Sequence, residues 1–172
     1  MNIKRILLIF TLIILNIGCD QISKNIVRDQ VKFRSTTEII GEKFILTNVE
    51  NSGAFLGMGS DLNPIIKTIL LLVFPIVVLL FVLRYLLVKK DIDNVTVIGL
   101  SFIIGGGIGN MYDRILYGSV TDFFHIDLGG IFKTGIFNMA DVSVMAGMGF
   151  ILLASFLYRK KKPLEETVNL ED

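Results

Sequence analysis

Four long stretches without a charged residue constrain this chain more than any other feature of its sequence. They cover residues 6–19, 68–83, 95–112 and 142–158. A helix needs about 20 mostly apolar residues to cross the hydrocarbon core of a bilayer, and about 17 can suffice. The third and fourth stretches are long enough, and the second is long enough if Lys67 and Arg84 extend to the two membrane interfaces. The first is shorter and also resembles the core of a signal peptide.

The composition supports a membrane protein. Of the 172 residues, 52% are hydrophobic and 19% are charged. A soluble domain of this size has too little interior to bury so many apolar side chains. With a net charge of +1 and no pooled basic arm, the chain gives no reason to expect a nucleic-acid partner. We expect an α-helical integral membrane protein with spans at about 3–22, 65–88, 94–112 and 138–158.

Clusters of positive charge predict how these spans are oriented. Lys4 and Arg5 precede the first span, Lys89 and Lys90 follow the second, and residues 159–162 follow the fourth. Cytoplasmic flanks of membrane helices are enriched in Lys and Arg. The three clusters share one side only if the chain crosses four times with both termini in the cytoplasm. Residues 20–64 and 113–137 are then predicted to lie outside.

The outer segments and the third span contain further local signals. Residues 43–49 are rich in β-forming side chains and predict a strand, and residues 120–126 are predicted to be extended. The glycine run at 105–109 would let another helix approach the third span closely. A phosphate-binding loop is the alternative, but no Lys-Ser or Lys-Thr follows the run, and the G-x-G-x-x-G pattern fails at Asn110.

The residue inventory disfavours covalent catalysis. The chain has one histidine, His125, and one cysteine, Cys19, which lies near the outer end of the first span. A nucleophilic hydrolase needs a base beside its nucleophile, and no G-x-S-x-G motif is present. A single cysteine also excludes an intrachain disulfide and a Cys-based structural metal site.

Polar and ionisable residues gather at the predicted outer ends of the spans. Such residues are costly at membrane depth and therefore indicate function. The set comprises Asp20, Lys24, Asn51, Asn110, Asp113, Arg114, Asp122, Asn138 and Asp141.

Several members of this set also have ordinary structural explanations. Asp20 and Lys24 are four apart and can form an i,i+4 helix pair. Asn138 can cap a helix that carries Asp141 at its third position. Asp113, with the arginine that follows it, can be interfacial charge at the end of the third span.

Asp122 is harder to explain structurally, because it is an acid within an apolar strand. The third and fourth spans are antiparallel neighbours, so Asp122 and Asp141 can face one point at the outer interface. Two carboxylates in a poorly solvated site have pKa values that move apart, which makes one an acid and the other a base. Such a pair can activate water without a metal or cofactor. A metal site built from Asp113, His125 and Asp127 is the alternative.

Five motifs in a fixed order resemble lipoprotein signal peptidase, the type II signal peptidase of bacteria. They cover the chain from about residue 3 to 160. The motifs are Asp-Gln-Ile-Ser-Lys at 20–24, Asn-Ser-Gly-Ala-Phe at 51–55, Gly-Gly-Gly-Ile-Gly-Asn-Met-Tyr-Asp-Arg at 105–114, Val-Thr-Asp-Phe at 120–123 and Phe-Asn-Met-Ala-Asp at 137–141.

This resemblance implies an intramembrane aspartyl endopeptidase of the bacterial cytoplasmic membrane, with its active site at the extracytoplasmic face. It would cut signal peptides from prolipoproteins before a diacylglyceryl-modified cysteine. The implied catalytic pair is Asp122 and Asp141. The implied residues that line or brace the pocket are Asp20, Lys24, Asn51, Asn110, Asp113, Arg114, Asn138 and Ala140.

The resemblance also implies a four-helix fold with an outer β-cradle and a mobile outer helix or loop. Expected partners are diacylglyceryl-modified prolipoproteins, membrane lipids and inhibitors of the globomycin type, and we expect a monomer without metal or cofactor. Residues 1–162 are expected to form one domain, followed by a charged, disordered cytoplasmic tail at 163–172. The 51–57 segment has one alanine fewer than the common family pattern, which affects the register of this loop.

Two other functions fit part of the sequence. Residues 16–20 resemble the cleavage region of a lipoprotein precursor, with Cys19 as the lipidated residue. Asn16 is a poor residue three positions before such a cysteine, and loss of residues 1–18 would break the even number of spans. An ion-coupled carrier is the second alternative, but four spans lack the paired inverted repeats of such proteins.

Overall fold

Four helices dominate the computed structural model, which describes residues 3–54 and 57–159. They are α1 (Ile3–Gln30), α2 (Pro64–Val88), α3 (Asn94–Tyr117) and α4 (Met139–Arg159). All four are long and apolar enough to cross a membrane, which confirms the predicted number of spans. The predicted tail at 163–172 and the basic residues 160–162 lie outside the described residues, as do residues 55 and 56 of the second motif.

Two helices are longer than the sequence predicts. α1 ends at Gln30 instead of near residue 22, because the polar residues of its last turns pair with α3 instead of ending the helix. α3 ends at Tyr117 instead of 112. Gly118 terminates it in the left-handed conformation, at φ +74°, and the N–H of Gly118 donates to Arg114 O over 3.1 Å.

α2 contains an irregular turn beside the site described below. The Asn63 side chain caps its start by accepting a hydrogen bond from Ile65 N at 2.9 Å. Residues Ile69–Val73 form a π-helical turn, in which Phe74 N donates to Ile69 O. Pro75 follows directly and has no N–H for the regular α-helical hydrogen bond, which accounts for the irregularity at this point.

A small antiparallel sheet lies at one end of the helices, with strand order β1-β2-β3. The strands are β1 (Thr36–Ile40), β2 (Phe44–Asn51) and β3 (Val120–Ile126). β2 and β3 confirm the two predicted extended segments. β1 is not predicted, since all five of its residues are exposed and it has no alternation of buried and exposed positions.

The glycines of α3 allow close packing of α1 and α4, as predicted. A Cβ at Gly109 would lie 2.5 Å from Asp20 Oδ2 of α1, and a Cβ at Gly106 would overlap the carbonyl oxygen of Ala140 in α4. The run lies inside a regular helix, so helix packing explains it and the phosphate-loop alternative is wrong. This packing brings the polar ends of α1, α3 and α4 together.

Candidate active site

Asp122 lies in β3, opposite Val49 of β2, with only 4% of its surface exposed. Two side-chain amides hold its carboxylate. Asn51 Nδ2 donates to Oδ2 over 3.0 Å, and Asn138 Nδ2 donates to Oδ1 over 2.6 Å. Each carboxylate oxygen therefore has a fixed donor, which orients the group within the strand.

Asp141 lies in the first turn of α4 and closes the predicted helix cap. Asn138 Oδ1 accepts from Asp141 N at 3.0 Å, and Asp141 Oδ2 accepts in return from Asn138 N at 3.0 Å. This reciprocal arrangement is a capping box. The other oxygen of Asp141 accepts from Asn110 Nδ2 at 3.0 Å. The cap that stabilises the start of α4 thus also fixes Asp141, and its Asn138 side chain contacts Asp122.

Both carboxylates line one cavity of about 330 Å³. Its polar wall includes Asn51, Asn110 and Arg114 beside the two acids. Apolar side chains of α2 form part of its wall, and they are Leu70, Leu71, Phe74 and Pro75. The structure therefore brings the two acids to one site, and that site combines ionisable groups with a surface suited to an apolar chain.

The environment of Asp122 favours its protonated form. Burial raises the pKa of Asp122 to about 6, the hydrogen bond from Asn51 opposes this rise, and the nearby negative charge of Asp141 adds to it. Asp122 can therefore hold a proton at mildly acidic pH, and such a group can act as a general acid.

A fully buried ion cluster lies behind the cavity. Lys24 Nζ lies 2.8 Å from Asp20 Oδ2 and 2.9 Å from Asp113 Oδ2, and none of the three side chains is exposed. Asp20 and Lys24 do form the expected i,i+4 pair, but it is part of a cluster between two helices. Interfacial charge is the wrong explanation for Asp113, which faces α1.

The ion cluster reaches the two acids through one amide. Lys24 Nζ donates to Asn110 Oδ1 over 2.9 Å, while Nδ2 of the same amide donates to Asp141. Asn138 Nδ2 also lies 3.2 Å from Asn110 Oδ1. Lys24 therefore fixes which way the Asn110 amide points, and so which of its atoms faces Asp141.

Arg114 and Ala140 connect the cavity to neighbouring segments. Arg114 lines the cavity, and its guanidinium donates to Gly53 O at 2.9 Å and to Asn110 O at 3.3 Å. Ala140 N donates to Asp20 Oδ1 at 2.8 Å. The arginine holds the segment after β2 against α3, and the alanine joins the start of α4 to α1.

Sequence reasoning missed several residues that brace this site. Arg28 lies 3.1 Å from Asp113 Oδ1 and donates to Thr121 Oγ1 at 2.8 Å, next to Asp122. Gln21 also donates to Asp113, at 3.0 Å. The four-residue spacing of Asp20, Lys24 and Arg28 is the signal that could have identified Arg28, because it places all three on one helical face.

The residues of the alternative metal site do not come together. Asp113 binds the lysine and arginine of α1, Asp127 pairs with Lys133 at 3.0 Å, and His125 Nδ1 lies 3.4 Å from Gly135 O. Within residues 3–54 and 57–159, no three His, Cys, Asp or Glu side chains are grouped as metal ligands. This alternative does not fit the geometry.

Comparisons with known proteins point to one family. The family model described as signal peptidase (SPase) II matches residues 12–157. A lipoprotein signal peptidase of Clostridium novyi (strain NT) is 34% identical over 151 residues, covering 88% of this chain and 97% of that protein. One from Borrelia garinii subsp. bavariensis is 35% identical over 158 residues, covering 89% and 92%.

A solved structure is similar over nearly the whole chain. It is a bacterial membrane enzyme determined by the in meso method at 2.3 Å resolution. The TM-score is 0.79 at 25% sequence identity, and the alignment covers 92% of this chain and 93% of the other. The similarity therefore includes both the helices and the sheet.

Proposed function

The chain belongs to the signal peptidase (SPase) II family, and from this premise we propose that it cleaves prolipoproteins immediately before a diacylglyceryl-modified cysteine, with Asp122 and Asp141 as its catalytic pair. The family consists of aspartic proteases that remove signal peptides from prolipoproteins. With four helices able to span a bilayer, the chain is a multi-pass bacterial membrane protein.

The observation that carries the proposal is the shared cavity of the two acids. Its carboxylates are oriented by amide donors, and apolar side chains of α2 form part of its wall. A signal peptide is itself an apolar segment, and it needs such a wall beside the scissile bond. Two adjacent carboxyl groups, one of them with a pKa raised by burial, can supply the acid and the base that peptide hydrolysis requires.

The mechanism uses the proton that burial keeps on Asp122. Asp141 removes a proton from water, and the oxygen of that water attacks the scissile carbonyl carbon. Asp122 gives its proton to the carbonyl oxygen, which forms a neutral gem-diol. As the C–N bond breaks, the gem-diol returns one proton to Asp122, and the proton on Asp141 passes to the leaving nitrogen.

The remaining site residues have positioning roles in this proposal. Asn51 and Asn138 orient Asp122, and Asn110 orients Asp141. Arg114 holds the segment at Gly53 that borders the cavity. The others brace the polar ends of the helices from behind, and they are Asp20, Lys24, Asp113 and Ala140.

The positions of the basic clusters support a topology with both termini in the cytoplasm. The sheet and the cavity then lie at the extracytoplasmic face, where the sheet would serve as the cradle for the substrate. We propose one domain over residues 1–162, acting as a monomer on prolipoproteins within membrane lipid.

The contacts of α1 argue against removal of the N-terminal segment as a signal peptide. Asn16 accepts a buried hydrogen bond from Ser143 of α4 at 2.6 Å, and Asp20 binds Ala140 of the same helix. Loss of residues 1–18 would remove the first of these contacts and most of the helix that carries the second. An intact mass measurement of the purified protein distinguishes the two cases.

Cleavage of a defined peptide by the purified full chain tests the function. One peptide carries a diacylglyceryl cysteine after a lipobox, and its matched control carries the unmodified cysteine. We expect cleavage of the modified peptide only, before the cysteine, with inhibition by globomycin and no effect of EDTA. Equal cleavage of both peptides, or activity lost in EDTA and restored by a divalent ion, would contradict the proposal.

A further inference from the structure

A second cavity lies between α2 and α3, next to the candidate active site. It has a volume of about 270 Å³. Its lining includes Ile76, Leu80 and Leu83 of α2 and Ile104, Ile108 and Met111 of α3. Within the described part of the chain, no charged side chain lines it. We call this cavity the α2–α3 groove.

The α2–α3 groove adjoins the active-site cavity. Met111 lines both. On α2, Phe74 and Pro75 line the active-site cavity, and the next residue, Ile76, lines the groove. From Ile76 to Leu83 the groove follows α2 for about 10 Å, at the α-helical rise of about 1.5 Å per residue. It therefore leads from the two acids toward the middle of the membrane.

The packing of α2 explains why the groove is open. Leu79 lies against the backbone of α3, where a Cβ at Gly107 would be 2.8 Å from Leu79 Cδ2. The most apolar 18-residue window of α2, all of it described, contains no buried residue. Farther along α2, Leu86 is fully buried in a cluster with Val97 and Ile104 of α3, and the less covered stretch before it leaves room for a narrow apolar ligand.

The other cavity that reaches Asp122 has a different character. It has a volume of about 430 Å³ and is lined by Glu50, Ser52 and Ser60 as well as Asp122. A peptide segment suits this polar surface. Of the two cavities in the described residues that adjoin the active-site cavity here, only the α2–α3 groove offers an apolar surface to an apolar chain that leaves the site.

We propose that the α2–α3 groove binds a fatty acyl chain of the diacylglyceryl group on the substrate cysteine. The inference rests on the proposed function, since it places that cysteine beside the two acids. The acyl chains then need an apolar surface next to the cavity, and the groove meets the cavity at Met111. Because lipid tails are as apolar as the groove, the gain comes from packing and from alignment of the scissile bond.

The test compares two diacylated peptides that differ only in chain length, palmitoyl against butyryl, with the full chain in one detergent. Leu80→Trp fills the groove at a side chain that is 60% exposed, and Leu153→Trp is the matched control on α4, where the side chain is 47% exposed. We expect wild type to show a lower KM for the palmitoyl peptide. Leu80→Trp should raise that KM about fivefold while the KM for the butyryl peptide and both kcat values are unchanged. Leu153→Trp should alter neither KM nor kcat for either peptide.

Three results would overturn the inference. One is an equal KM of wild type for both peptides, which would mean that membrane lipid or detergent occupies the groove. Another is an equal change in KM for both peptides in Leu80→Trp. If tryptophan lowers the melting temperature, Leu80→Phe replaces this variant. The third is an equal effect of the control variant. If wild type cleaves neither peptide, the proposed function itself fails, so the two failures are distinguishable.

Discussion

The side-chain amide of Asn138 donates a hydrogen bond to Oδ1 of Asp122 across 2.6 Å. The same residue caps α4, because its Oδ1 accepts from Asp141 N and its own N–H donates to Asp141 Oδ2. One side chain thus joins the two candidate acids and starts the helix that carries the second. Its two roles can be separated, because a serine can cap a helix but cannot donate to Asp122 in this way.

Replacement of Asn138 by serine should therefore reduce turnover more than stability. We expect turnover of a diacylated peptide to fall at least about tenfold, with little change in the melting temperature. Asn63→Ser is the matched control, since Asn63 caps α2 in the same way but is not among the residues that line the cavity. Turnover of Asn138→Ser within about twofold of that control would mean that the amide does not orient Asp122.

The pKa of Asp122 predicts the pH dependence of cleavage. Burial raises this pKa to about 6, and the proposed active form has Asp122 protonated and Asp141 ionised. We expect kcat/KM to fall as the pH rises through about 6, because Asp122 then loses its proton.

The Asn51 hydrogen bond gives this prediction a direction to check. It stabilises the ionised form of Asp122 and lowers its pKa. In Asn51→Ala the pKa should be higher, so the fall in kcat/KM should occur at higher pH. Profiles of kcat/KM against pH for both proteins provide the measurement. An unchanged position, or a move to lower pH, would contradict the assignment of the proton to Asp122.

Arg114→Lys keeps the charge and removes the planar guanidinium. Arg114 holds two carbonyl oxygens, those of Gly53 and Asn110, and an ammonium group is a point charge without that fixed geometry. We expect turnover to fall at least about tenfold, or about 1.4 kcal/mol of transition-state stabilisation, with little change in melting. Turnover near the wild-type value would make Arg114 an interfacial anchor, and equal loss of turnover and stability would make it a residue of the fold.

Lys24→Met should destabilise the protein strongly. Lys24 lies between Asp20 and Asp113, fully buried, and its removal leaves more negative than positive charge in the cluster. Breaking a buried pair in this way costs about 3–5 kcal/mol. Thermal unfolding should show a large fall in the melting temperature for Lys24→Met and partial recovery of it when Asp113→Asn is added. The melting temperature should not change for Lys32→Met, because Lys32 is exposed. Equal melting of the two lysine variants would contradict the role of the cluster.

The four helices could be predicted because hydropathy directly reflects the cost of placing a side chain in lipid. The two acids could be paired because a single connection, residues 118–138, joins α3 to α4 and carries Asp122. The partners of Asp113 could not be predicted, because the local sequence around a charged residue at a helix end is the same whether that residue faces water or another helix. The role of Arg28 could not be predicted for the same reason. The predicted end of α1, near residue 22, falls where the charged face of the helix begins.

The sheet shows a similar division. β2 was predicted because it has a run of β-forming residues after a turn. β1 has no such run, and it is a strand only because β2 lies beside it with Thr36 opposite Thr47. Only one of the two roles of Asn138, the helix cap, could be predicted. A cap depends on local spacing, whereas the contact with Asp122 depends on where β3 lies.

The cleavage rates of Asp122→Asn and Asp141→Asn test the central claim most directly. Both changes keep the shape of the side chain and remove one acid or base, which should lower the rate of diacylated-peptide cleavage by at least about 10²-fold each. Asp127→Asn is the matched control, because Asp127 pairs with Lys133 and does not line the cavity; it should cleave at the wild-type rate. Activity within a few-fold of that control in either variant, with the protein folded, would contradict the assignment of Asp122 and Asp141 as the catalytic pair.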